Sequence, residues 1–552
     1  MKQPILKMHK SPIYIIGTGL SHNGSAVLLK DGEVCVGIEK ERITRVKHDG
    51  GNDTQAVQYC LDMAGITLKD VSLVVQCANF EIPNRERYKG ERIFSSNTHP
   101  PLISISHHLA HAYSAAGTCP YNECAIMVID GCGSPIEQCI DINSGQITIS
   151  DEIGLHCEKD SFYHFDGQKI TTLFKDFSIL AKANTDHPLK MNTTKHSIGG
   201  FYAAVSNYVF GNLDDVGKLM GLAPYGNAEE IKLEAFDLSD EIIKVTDTWQ
   251  EEFNIPFVNY TDFKANFQYY ANVAAWAQNQ VEKAVNYCFK SRLAKFPHQN
   301  VCYTGGVALN AVANAKLLNE GIVDNLYLEP AAGDNGLALG CAFYGWLAIM
   351  EKPKVNTNGN TCFGKNYSNS SAGPSDEILE KTAIALAAGK TVGWFQGGAE
   401  FGPRALGHRS ILAHPGIKGL ADHINNNIKF REDFRPFAPV VLAEFAKKYF
   451  VHGRPSPYMI LVDQTKHEHH EELRNVTHVD GSARLQTIQM EWNPSLDKLL
   501  RKFYHITGIP ILLNTSFNKK GMPIVELPEQ AKKLFHETAL DILVIDNILI
   551  EK

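Results

Sequence analysis

The chain has 552 residues, of which 44% are hydrophobic and 21% are charged, a balance typical of a globular protein with several hydrophobic cores. Its formal net charge of −8 argues against a protein that holds nucleic acid through a general basic surface, although it leaves room for a local basic pocket. The 12 cysteines are scattered without a Cys-x-x-Cys pair, which excludes a disulfide framework or a zinc ribbon and indicates a reducing, cytoplasmic location.

By the usual length criteria, we expect neither a signal peptide nor a membrane span. Lys2, Lys7 and Lys10 precede an apolar run at 13–16 that is too short for a signal-peptide core. No apolar stretch reaches the roughly 18 residues that are needed to cross a bilayer. A membrane partner is therefore not expected.

Strand-like and helix-like segments alternate along the first part of the chain, which predicts an α/β fold. The chain opens with three short strands, and a glycine-rich loop at 17–24 joins the first two of them. Such a loop holds phosphate in actin-like ATPases, although glycine turns between strands are also common. A tight turn is predicted at 30–32, further strands at 71–76, 124–130, 301–304 and 326–328, and helices at 56–64, 269–295 and 334–350.

The most informative segment is 106–115, which contains three histidines. If this segment is helical, His107 and His111 lie one turn apart on the same face and can bind one metal ion. The strand that follows ends at Asp130, which adds a carboxylate and favours a site with both nitrogen and oxygen ligands. The alternative is a helix whose histidines serve as capping or core residues.

A strand-turn-helix element at 303–310 suits nucleotide binding. Gly305 and Gly306 allow the backbone to approach a ligand, and the N-terminus of the following helix favours an anion. A plain tight turn is the alternative. Asp334 precedes a strongly apolar helix, where it serves as an N-cap, as a further metal ligand, or as both.

Residues 352–375 are rich in Pro, Asn, Gly and Ser and almost free of aliphatic side chains, which indicates an interdomain linker. We therefore place one domain at 1–355, the linker at 356–375 and a second α/β domain at 376–552. The first domain has room for two related actin-like lobes.

The second unit carries basic residues among Gly, Pro and aromatic residues. A buried cation needs an anionic partner, and planar guanidinium groups match phosphate oxygens in pairs. The pattern predicts a pocket for a phosphorylated ligand, and separate solvated or salt-bridged arginines are the alternative. The basic residues are Arg404, Lys429, Arg435 and Arg484, and the neutral donors Asn514 and Ser516 accompany them.

Together these segments resemble the NodU/CmcH-type O-carbamoyltransferases, which modify antibiotics and nodulation factors. The resemblance spans nearly the whole chain, and several long motifs occur in the order typical of the family. They lie at 107–115, 217–226, 401–410, 429–439 and 514–517.

The resemblance implies an N-terminal Kae1-like domain, which has an actin-like ATPase fold of two lobes, and a C-terminal YrdC-like twisted α/β domain. It also implies a carbamoyltransferase that works in two steps. The YrdC-like domain forms carbamoyl-adenylate from carbamoyl phosphate and ATP. The Kae1-like domain then transfers the carbamoyl group to a hydroxyl of a sugar, a nucleoside or a natural product, and AMP is released.

The resemblance also assigns residues by position. Lys47 and His48 lie in a family run near the intermediate, and Lys429 and Arg435 are expected to be catalytic. A divalent metal is implied, with iron expected first and magnesium or manganese as alternatives. The implied metal ligands are His107, His111, Asp130 and Asp334, the nucleotide turn is Gly305, Gly306 and Asn310, and the carbamoyl-phosphate and ATP pocket is Arg404, Lys429, Arg435, Arg484, Asn514 and Ser516.

The chain departs from the family in its first loop. His22-Asn23 stands where the family usually has His-Asp, and Leu20 occupies the place of an acidic residue found in some members. The general base for the acceptor hydroxyl is therefore open. His22 is our candidate, and a structural turn histidine is the alternative.

Three other functions share parts of this pattern. Hydrogenase maturation uses carbamoyl phosphate, but the acylphosphatase domain and paired Cys-x-x-Cys motifs of that family are not visible here. Synthesis of threonylcarbamoyl-adenosine in tRNA is disfavoured by the acidic chain, and a nucleotide-binding regulator by the retention of the metal and anion-pocket positions. We expect a small-molecule hydroxyl acceptor as partner, no nucleic acid and, by analogy alone, a homodimer.

Overall fold

The computed structural model describes residues 12–77, 93, 100–150, 153–180, 196–253, 257–368, 373–488, 490–491 and 493–552. The N-terminal Lys2, Lys7 and Lys10 lie outside these ranges. The described residues form an α/β structure with three large sheets and a small two-stranded one, as predicted. Within these ranges, no helix has the length and apolar character that a membrane span requires.

The first sheet has five strands and forms the first lobe. Its elements are β1 (Tyr14–Gly19), β2 (Ser25–Lys30), β3 (Glu33–Glu39), α1 (Lys40–Thr44), α2 (Thr54–Ala64), β4 (Val71–Cys77) and β5 (Leu102–Ser104). The strand order is β3-β2-β1-β4-β5, with antiparallel pairing from β3 to β1 and parallel pairing from β1 to β5. The predicted tight turn between β2 and β3 is confirmed, because Asp31 and Gly32 adopt φ angles of 52° and 89°, as hairpin turns require.

The second lobe is built on a six-stranded sheet. Its elements are α3 (His107–Thr118), β6 (Cys124–Ile129), β7 (Gln146–Ile149), β8 (His156–Phe165), β9 (Ile170–Ile179), α4 (Ile198–Phe210), α5 (Val216–Leu222), β10 (Phe236–Asp237), β11 (Lys244–Val245), α6 (Thr248–Glu252), α7 (Tyr260–Ala265), α8 (Phe267–Lys295), β12 (Asn300–Thr304), α9 (Ala311–Asn319), β13 (Asn325–Leu328) and α10 (Leu337–Tyr344). The strand order is β13-β12-β6-β8-β9-β7, with β10 and β11 forming the small separate sheet. Neighbours among β9, β8 and β6 are antiparallel, whereas β12 and β13 run parallel to β6. Five strands therefore repeat the order and directions of the first sheet, which confirms two related lobes.

Two helical segments contain turns that the sequence pattern does not show. The predicted helical run over 334–350 is present, but its type changes along its length, because a 3₁₀ turn (Asp334–Gly336) precedes α10 and a π-helix (Gly345–Ile349) follows it. Another 3₁₀ turn (Gly306–Leu309) separates β12 from α9. Asn310 then caps α9, since its Oδ1 accepts a hydrogen bond from the Ala313 backbone N–H (3.1 Å).

Helices α3 and α10 pack closely, and glycines make this approach possible. A Cβ atom at Gly340 in α10 would lie 1.7 Å from the backbone oxygen of Ala110 in α3. A Cβ atom at Gly17 in β1 would lie 1.9 Å from the backbone oxygen of Ala338. This contact fixes α3, which carries the predicted histidine ligands, against the helix that follows Asp334.

The predicted linker has no helix or strand over its described residues before α11, yet it contacts both flanking units. The Phe363 carbonyl accepts a hydrogen bond from the Gly37 backbone N–H in β3 (2.9 Å). Toward the C-terminal unit, Gly364 N–H donates to the Ala399 carbonyl (3.0 Å). The segment therefore forms part of the packing between the two units, and the domain boundaries at 355 and 376 remain a prediction.

The C-terminal unit is built on an eight-stranded sheet. Its elements are α11 (Asp376–Ala387), β14 (Val392–Phe395), β15 (Arg409–Ala413), α12 (Leu420–Ile424), β16 (Ala438–Leu442), α13 (Ala446–Tyr449), β17 (Leu461–Gln464), β18 (Ser482–Ile488), α14 (Pro494–Thr507), β19 (Ile511–Ser516), α15 (Pro528–Glu537), β20 (Ile542–Ile545) and β21 (Ile548–Glu551). The strand order is β17-β18-β16-β19-β15-β14-β20-β21. Phe434 packs against Phe210 and Phe263 of the second lobe, at ring-centroid distances of 6.2 and 5.9 Å. This contact places the 429–439 motif at the boundary with the N-terminal unit.

Candidate active site

The four predicted metal ligands converge. His107 and His111 lie one turn apart in α3, Asp130 directly follows β6, and Asp334 begins the 3₁₀ turn before α10. The ligand atoms of these residues all lie within 4.8 Å of one another. His107 Nε2 lies 3.0 Å from Asp130 Oδ2, 3.1 Å from His111 Nε2 and 3.4 Å from Asp334 Oδ1. We call this group the four-ligand cluster.

The second oxygen of each carboxylate is held by the protein. Asp130 Oδ1 accepts a hydrogen bond from the Gly306 backbone N–H (2.8 Å), and Asp334 Oδ2 accepts one from the Ser21 hydroxyl (2.6 Å). Each carboxylate therefore presents its other oxygen to His107. Such outer hydrogen bonds orient ligands in advance of metal binding.

The charges of the cluster suit a cation. Burial first, and the charge of the neighbouring His107 second, lower the pKa of His111 to about 4. Burial also opposes protonation of His107, but the charge of Asp334 and the bond to Asp130 outweigh it and raise its pKa. Burial opposes ionisation of Asp130, yet the bond to His107 keeps its pKa below the usual range. Two imidazoles and two carboxylates are a donor set that fits a divalent first-row transition metal.

A buried ionic network supports the N-terminus of α3. Glu158 Oε2 accepts hydrogen bonds from the backbone N–H groups of His108 (3.1 Å) and Ser134 (2.8 Å). Glu158 Oε1 lies 2.7 Å from Lys175 Nζ, and both side chains are fully buried. The Ser134 hydroxyl in turn accepts from the His107 backbone N–H (3.0 Å). This network fixes the turn of α3 that carries His107.

A second, more exposed cluster contains His22 and His48. His22 Nε2 lies 3.1 Å from Asp214 Oδ1, and His48 Nε2 lies 3.9 Å from Asp214 Oδ2. His48 Nδ1 makes a hydrogen bond with Asn23 Oδ1 (2.7 Å), so the residue that departs from the family pattern holds this ring. The bond to Asp214 raises the pKa of His22, whereas burial lowers the pKa of His48. Ser21 precedes His22 in the chain and donates a hydrogen bond to Asp334, so this cluster lies next to the four-ligand cluster.

Five cationic side chains of the C-terminal unit lie close enough together for their charges to act on one another. Burial first and the charge of Arg435 second lower the pKa of Arg404 to about 10. Among the described side chains, the only ion pair of these cations joins Arg435 to Glu432 (3.7 Å). The buried Nε atoms of Arg404 and Arg484 have no hydrogen-bond partner within the described ranges. We call this group the cation pocket, and it comprises Arg404, Lys429, Arg431, Arg435 and Arg484.

Lys429 is fixed at the end of β19. Its ammonium group donates to the Ser516 backbone oxygen (2.5 Å) and to Asn518 Oδ1 (2.7 Å), and it lies 3.2 Å from the Ser516 hydroxyl. Burial, followed by the charges of Arg431 and Arg435, lowers the pKa of Lys429 well below its usual range. The structure thus brings Lys429 and Ser516 together.

Two predicted nucleotide-pocket amides are engaged within the protein. Asn514 Nδ2 donates to Gln486 Oε1 (2.7 Å), and Asn310 Nδ2 donates to Gln278 Oε1 (3.0 Å). The predicted glycine turn lies against the four-ligand cluster: Gly306 N–H binds Asp130, and a Cβ atom at Gly306 would lie 2.8 Å from that carboxylate. In this structure the turn therefore positions a ligand of the cluster.

Lys47 lies near enough to the clusters of both units for its charge to act in each of them. Its charge acts on Asp214 in the N-terminal unit and on Lys429 in the cation pocket. Nearby, Arg45 donates to the backbone oxygens of Pro523 and Ile524, both at 2.6 Å. The end of α1 therefore contacts the C-terminal unit beside the pocket.

A buried connection joins the four-ligand cluster to the cation pocket. Glu39 Oε1 accepts hydrogen bonds from Asn335 Nδ2 (2.6 Å) and from the Gly402 backbone N–H (3.1 Å). Arg42 is paired with Glu39 and donates to the Gly402 backbone oxygen (2.6 Å). Asn335 follows Asp334 in the chain, and Gly402 lies two residues before Arg404. Burial raises the pKa of Glu39 to about 7 despite the charge of Arg42.

The structure adds residues that the sequence interpretation missed. Arg431 lies inside the 429–439 motif, so the signal that identified Lys429 and Arg435 applies to it as well. Asp214, Ser21 and Glu39 carry no local signal, because each gains its role only through contacts with distant segments.

Comparisons with known proteins identify the family. A family model described as Carbamoyltransferase N-terminus matches residues 14–89 and 86–343, and one described as Carbamoyltransferase C-terminus matches residues 383–552. An uncharacterized protein of Synechocystis sp. is 32% identical over 96% of this chain and 95% of its own. Nodulation protein NolNO of Sinorhizobium fredii is 30% identical over 99% of this chain and 81% of its own. The chain therefore belongs to the carbamoyltransferase family of enzymes.

Other similar proteins are more distant. Nodulation protein U of Sinorhizobium fredii is 27% identical over 92% of this chain and 94% of its own. Among solved structures, full-length HypF in a phosphate- and nucleotide-bound form matches 62% of this chain and 56% of its own, with 13% identity and a TM-score of 0.36. At that score the structural likeness is remote.

Proposed function

We propose that the protein is an ATP-dependent O-carbamoyltransferase that transfers a carbamoyl group to a hydroxyl of a small molecule. The observation that carries this proposal is the cation pocket, whose positive charge is largely unpaired among the described side chains and which lies within the electrostatic influence of Lys47, as Asp214 does. Buried cations without partners favour a polyanionic ligand, and carbamoyl phosphate and ATP are such ligands. Under this proposal the C-terminal unit is a YrdC-like domain.

The first step is proposed to occur in the cation pocket. Carbamoyl phosphate and water give carbamate and phosphate; carbamate then attacks the α-phosphate of ATP, and carbamoyl-adenylate forms as pyrophosphate leaves. Arg404, Arg435 and Arg484 neutralise phosphate oxygens, and Lys429, held by Ser516, stabilises the charge that develops on the transferred group. Before binding, burial disfavours the charged form of each cation, and the cations repel one another. A bound anion relieves this repulsion.

The second step is proposed to occur beside the four-ligand cluster. We propose that His22, whose Nε2 lies 3.1 Å from Asp214 Oδ1, accepts the proton of the acceptor hydroxyl at Nδ1. The hydroxyl oxygen attacks the carbamoyl carbon, the bond to the AMP phosphate breaks, and AMP leaves. Asp214 stabilises the imidazolium that forms, and Lys47 and His48 are proposed to contact the leaving AMP.

A divalent metal ion, with iron expected first, fits the four-ligand cluster and would be held by His107, His111, Asp130 and Asp334. When bound, it supplies Lewis-acid neutralisation of phosphate or carbamoyl oxygens. The residues around it orient these ligands through Ser21 and Gly306. We propose no nucleic-acid or membrane partner, and a homodimer only by analogy with the family.

The test is product analysis with a panel of hydroxyl acceptors. The purified enzyme is incubated with carbamoyl phosphate, ATP and each acceptor, and AMP, pyrophosphate and carbamoylated product are quantified. One AMP and one pyrophosphate per carbamoylated acceptor are expected. If neither AMP nor pyrophosphate appears with any acceptor, in a preparation whose metal content has been restored, the proposal is refuted.

A further inference from the structure

Three buried cysteines from separate elements meet in the second lobe. Cys119 follows α3, Cys124 begins β6, and Cys302 lies in β12. Their sulfur atoms all lie within 4.8 Å of one another, and those of Cys124 and Cys302 are 3.5 Å apart. Their exposed fractions are 1%, 2% and 0%. Because His107 begins α3 and Cys119 follows its end, a helix roughly 18 Å long separates this cluster from the four-ligand cluster.

A positive charge is fixed at one of these sulfur atoms. Lys354 Nζ lies 3.2 Å from Cys119 Sγ and is held there by the backbone oxygens of Cys119 (2.6 Å) and Tyr121 (2.8 Å). Lys354 therefore offers a fixed positive charge to a thiolate at Cys119.

We propose that Cys119, Cys124 and Cys302 bind a divalent thiophilic metal ion of the Zn²⁺ class. Three thiolates and one ammonium group carry a net charge of −2, which a divalent ion neutralises, and a neutral total is favoured because buried net charge is costly. With zinc–sulfur bonds of about 2.3 Å, ligand sulfurs lie roughly 3.8–4.0 Å apart, a spacing compatible with the observed separations.

Metal uptake at this site involves no electron transfer. The hydrated ion forms three metal–sulfur bonds, and the thiol protons and bound water molecules pass to solvent. The ion ties the end of α3 to β6 and β12, so it is a structural site of the second lobe. It does not depend on the proposed carbamoyl transfer.

The test uses Cd²⁺ as a probe, because its charge-transfer absorption in the ultraviolet reports sulfur ligands and is not produced by histidine or carboxylate ligands. Reduced, chelator-treated full-length protein is titrated with Cd²⁺, and thermal unfolding is followed in parallel. We expect the absorption to saturate at one sulfur-bound ion per chain, and the rise in unfolding temperature on addition of Cd²⁺ to be smaller in Cys302→Ser than in the unchanged protein. Cys302→Ser is expected to abolish the saturable absorption.

Matched variants separate this site from other thiols. Cys60→Ser removes a buried thiol outside the cluster and Cys35→Ser an exposed one, so both are expected to retain the absorption. If Cys302→Ser does not fold, Lys354→Met provides a test that keeps all three cysteine sulfurs. Lys354→Met is expected to weaken Cd²⁺ binding about tenfold, whereas Lys352→Met is expected to leave Cd²⁺ binding unchanged. Absence of a saturable absorption in the reduced protein, its persistence in Cys302→Ser, or equal binding by Lys354→Met would overturn the proposal.

Discussion

A single hydrogen bond changes the acid–base behaviour of His22. Asp214 raises the pKa of His22, and the proposed base must be neutral to accept a proton. Transfer is therefore expected to increase with pH through the raised pKa of His22. Asp214→Asn removes the main cause of that increase, so the rising part of the pH profile should move to lower pH. The measurement is the rate of acceptor carbamoylation from supplied carbamoyl-adenylate against pH.

The same profile tests the role of His22 itself. His22→Asn is expected to slow transfer by roughly 100-fold or more, because a positioned base is worth that much. His452→Asn, at a histidine–aspartate pair in the C-terminal unit, is a matched control that should leave the profile unchanged. An unshifted profile in Asp214→Asn would exclude His22 as the base.

Lys429 tests the division of labour between the two units. Lys429→Ala removes a buried cation of the cation pocket, so formation of carbamoyl-adenylate should fall by roughly 100-fold or more. Transfer from supplied carbamoyl-adenylate should survive. The two half-reactions are measured separately, and Lys448→Ala, an exposed lysine of the same unit, serves as the control. Loss of both half-reactions in a folded Lys429→Ala variant would contradict the proposal.

The turn after β12 shows how one element supports the four-ligand cluster. Gly305 adopts a φ angle of 88°, and a Cβ atom there would lie 2.3 Å from the backbone oxygen of Ile129, the residue before Asp130. Gly305→Ala is therefore expected to cost about 3 kcal/mol or more of stability and to reduce the metal content. Gly321→Ala, also at positive φ but with nothing within 4 Å, should cost only about 1 kcal/mol. Urea unfolding and elemental analysis provide the measurements, and equal losses in both variants would refute this role.

Elements that a short run of neighbouring residues determines could be predicted from the sequence. The spacing of His107 and His111 and the apolar strand before Asp130 identified the helix and the end of the strand directly. The role of Gly306 was not predictable, because its backbone N–H meets Asp130 only when β12 pairs with β6. Asp214 reaches His22 only through tertiary folding, and β7 to β9 lie in a region without clear periodicity. The missed features therefore depend on contacts between distant segments.

Across the whole molecule, the two units share a buried polar connection. Glu39 binds both Asn335, beside the four-ligand cluster, and Gly402, beside the cation pocket, and Arg42 compensates its charge. His478 adds a second link, since its Nε2 bonds to the Gly221 backbone oxygen (2.8 Å). The proposed intermediate can therefore form and react between surfaces that are fixed relative to each other.

The connection can be tested by a double-mutant cycle on Glu39 and Arg42. Arg42→Met leaves Glu39 buried without its cation and is expected to cost about 3–5 kcal/mol. Adding Glu39→Gln removes the uncompensated charge, so the double variant should lose less than the sum of the single variants. Unfolding in urea gives the free energies, and Lys381→Met, at an exposed ion pair, should show no measurable change.

The same variants should also make the proposed transfer of carbamoyl-adenylate between the two units less efficient. With the two units less firmly joined, carbamoyl-adenylate would escape and be hydrolysed before the acceptor reacts. The amount of AMP released per carbamoylated acceptor is therefore expected to rise above one in Arg42→Met and to return toward one in the double variant. Additive free energies would show that Glu39 and Arg42 do not stabilise the protein as a pair, and a ratio that stays at one would show that the connection does not support transfer between the units.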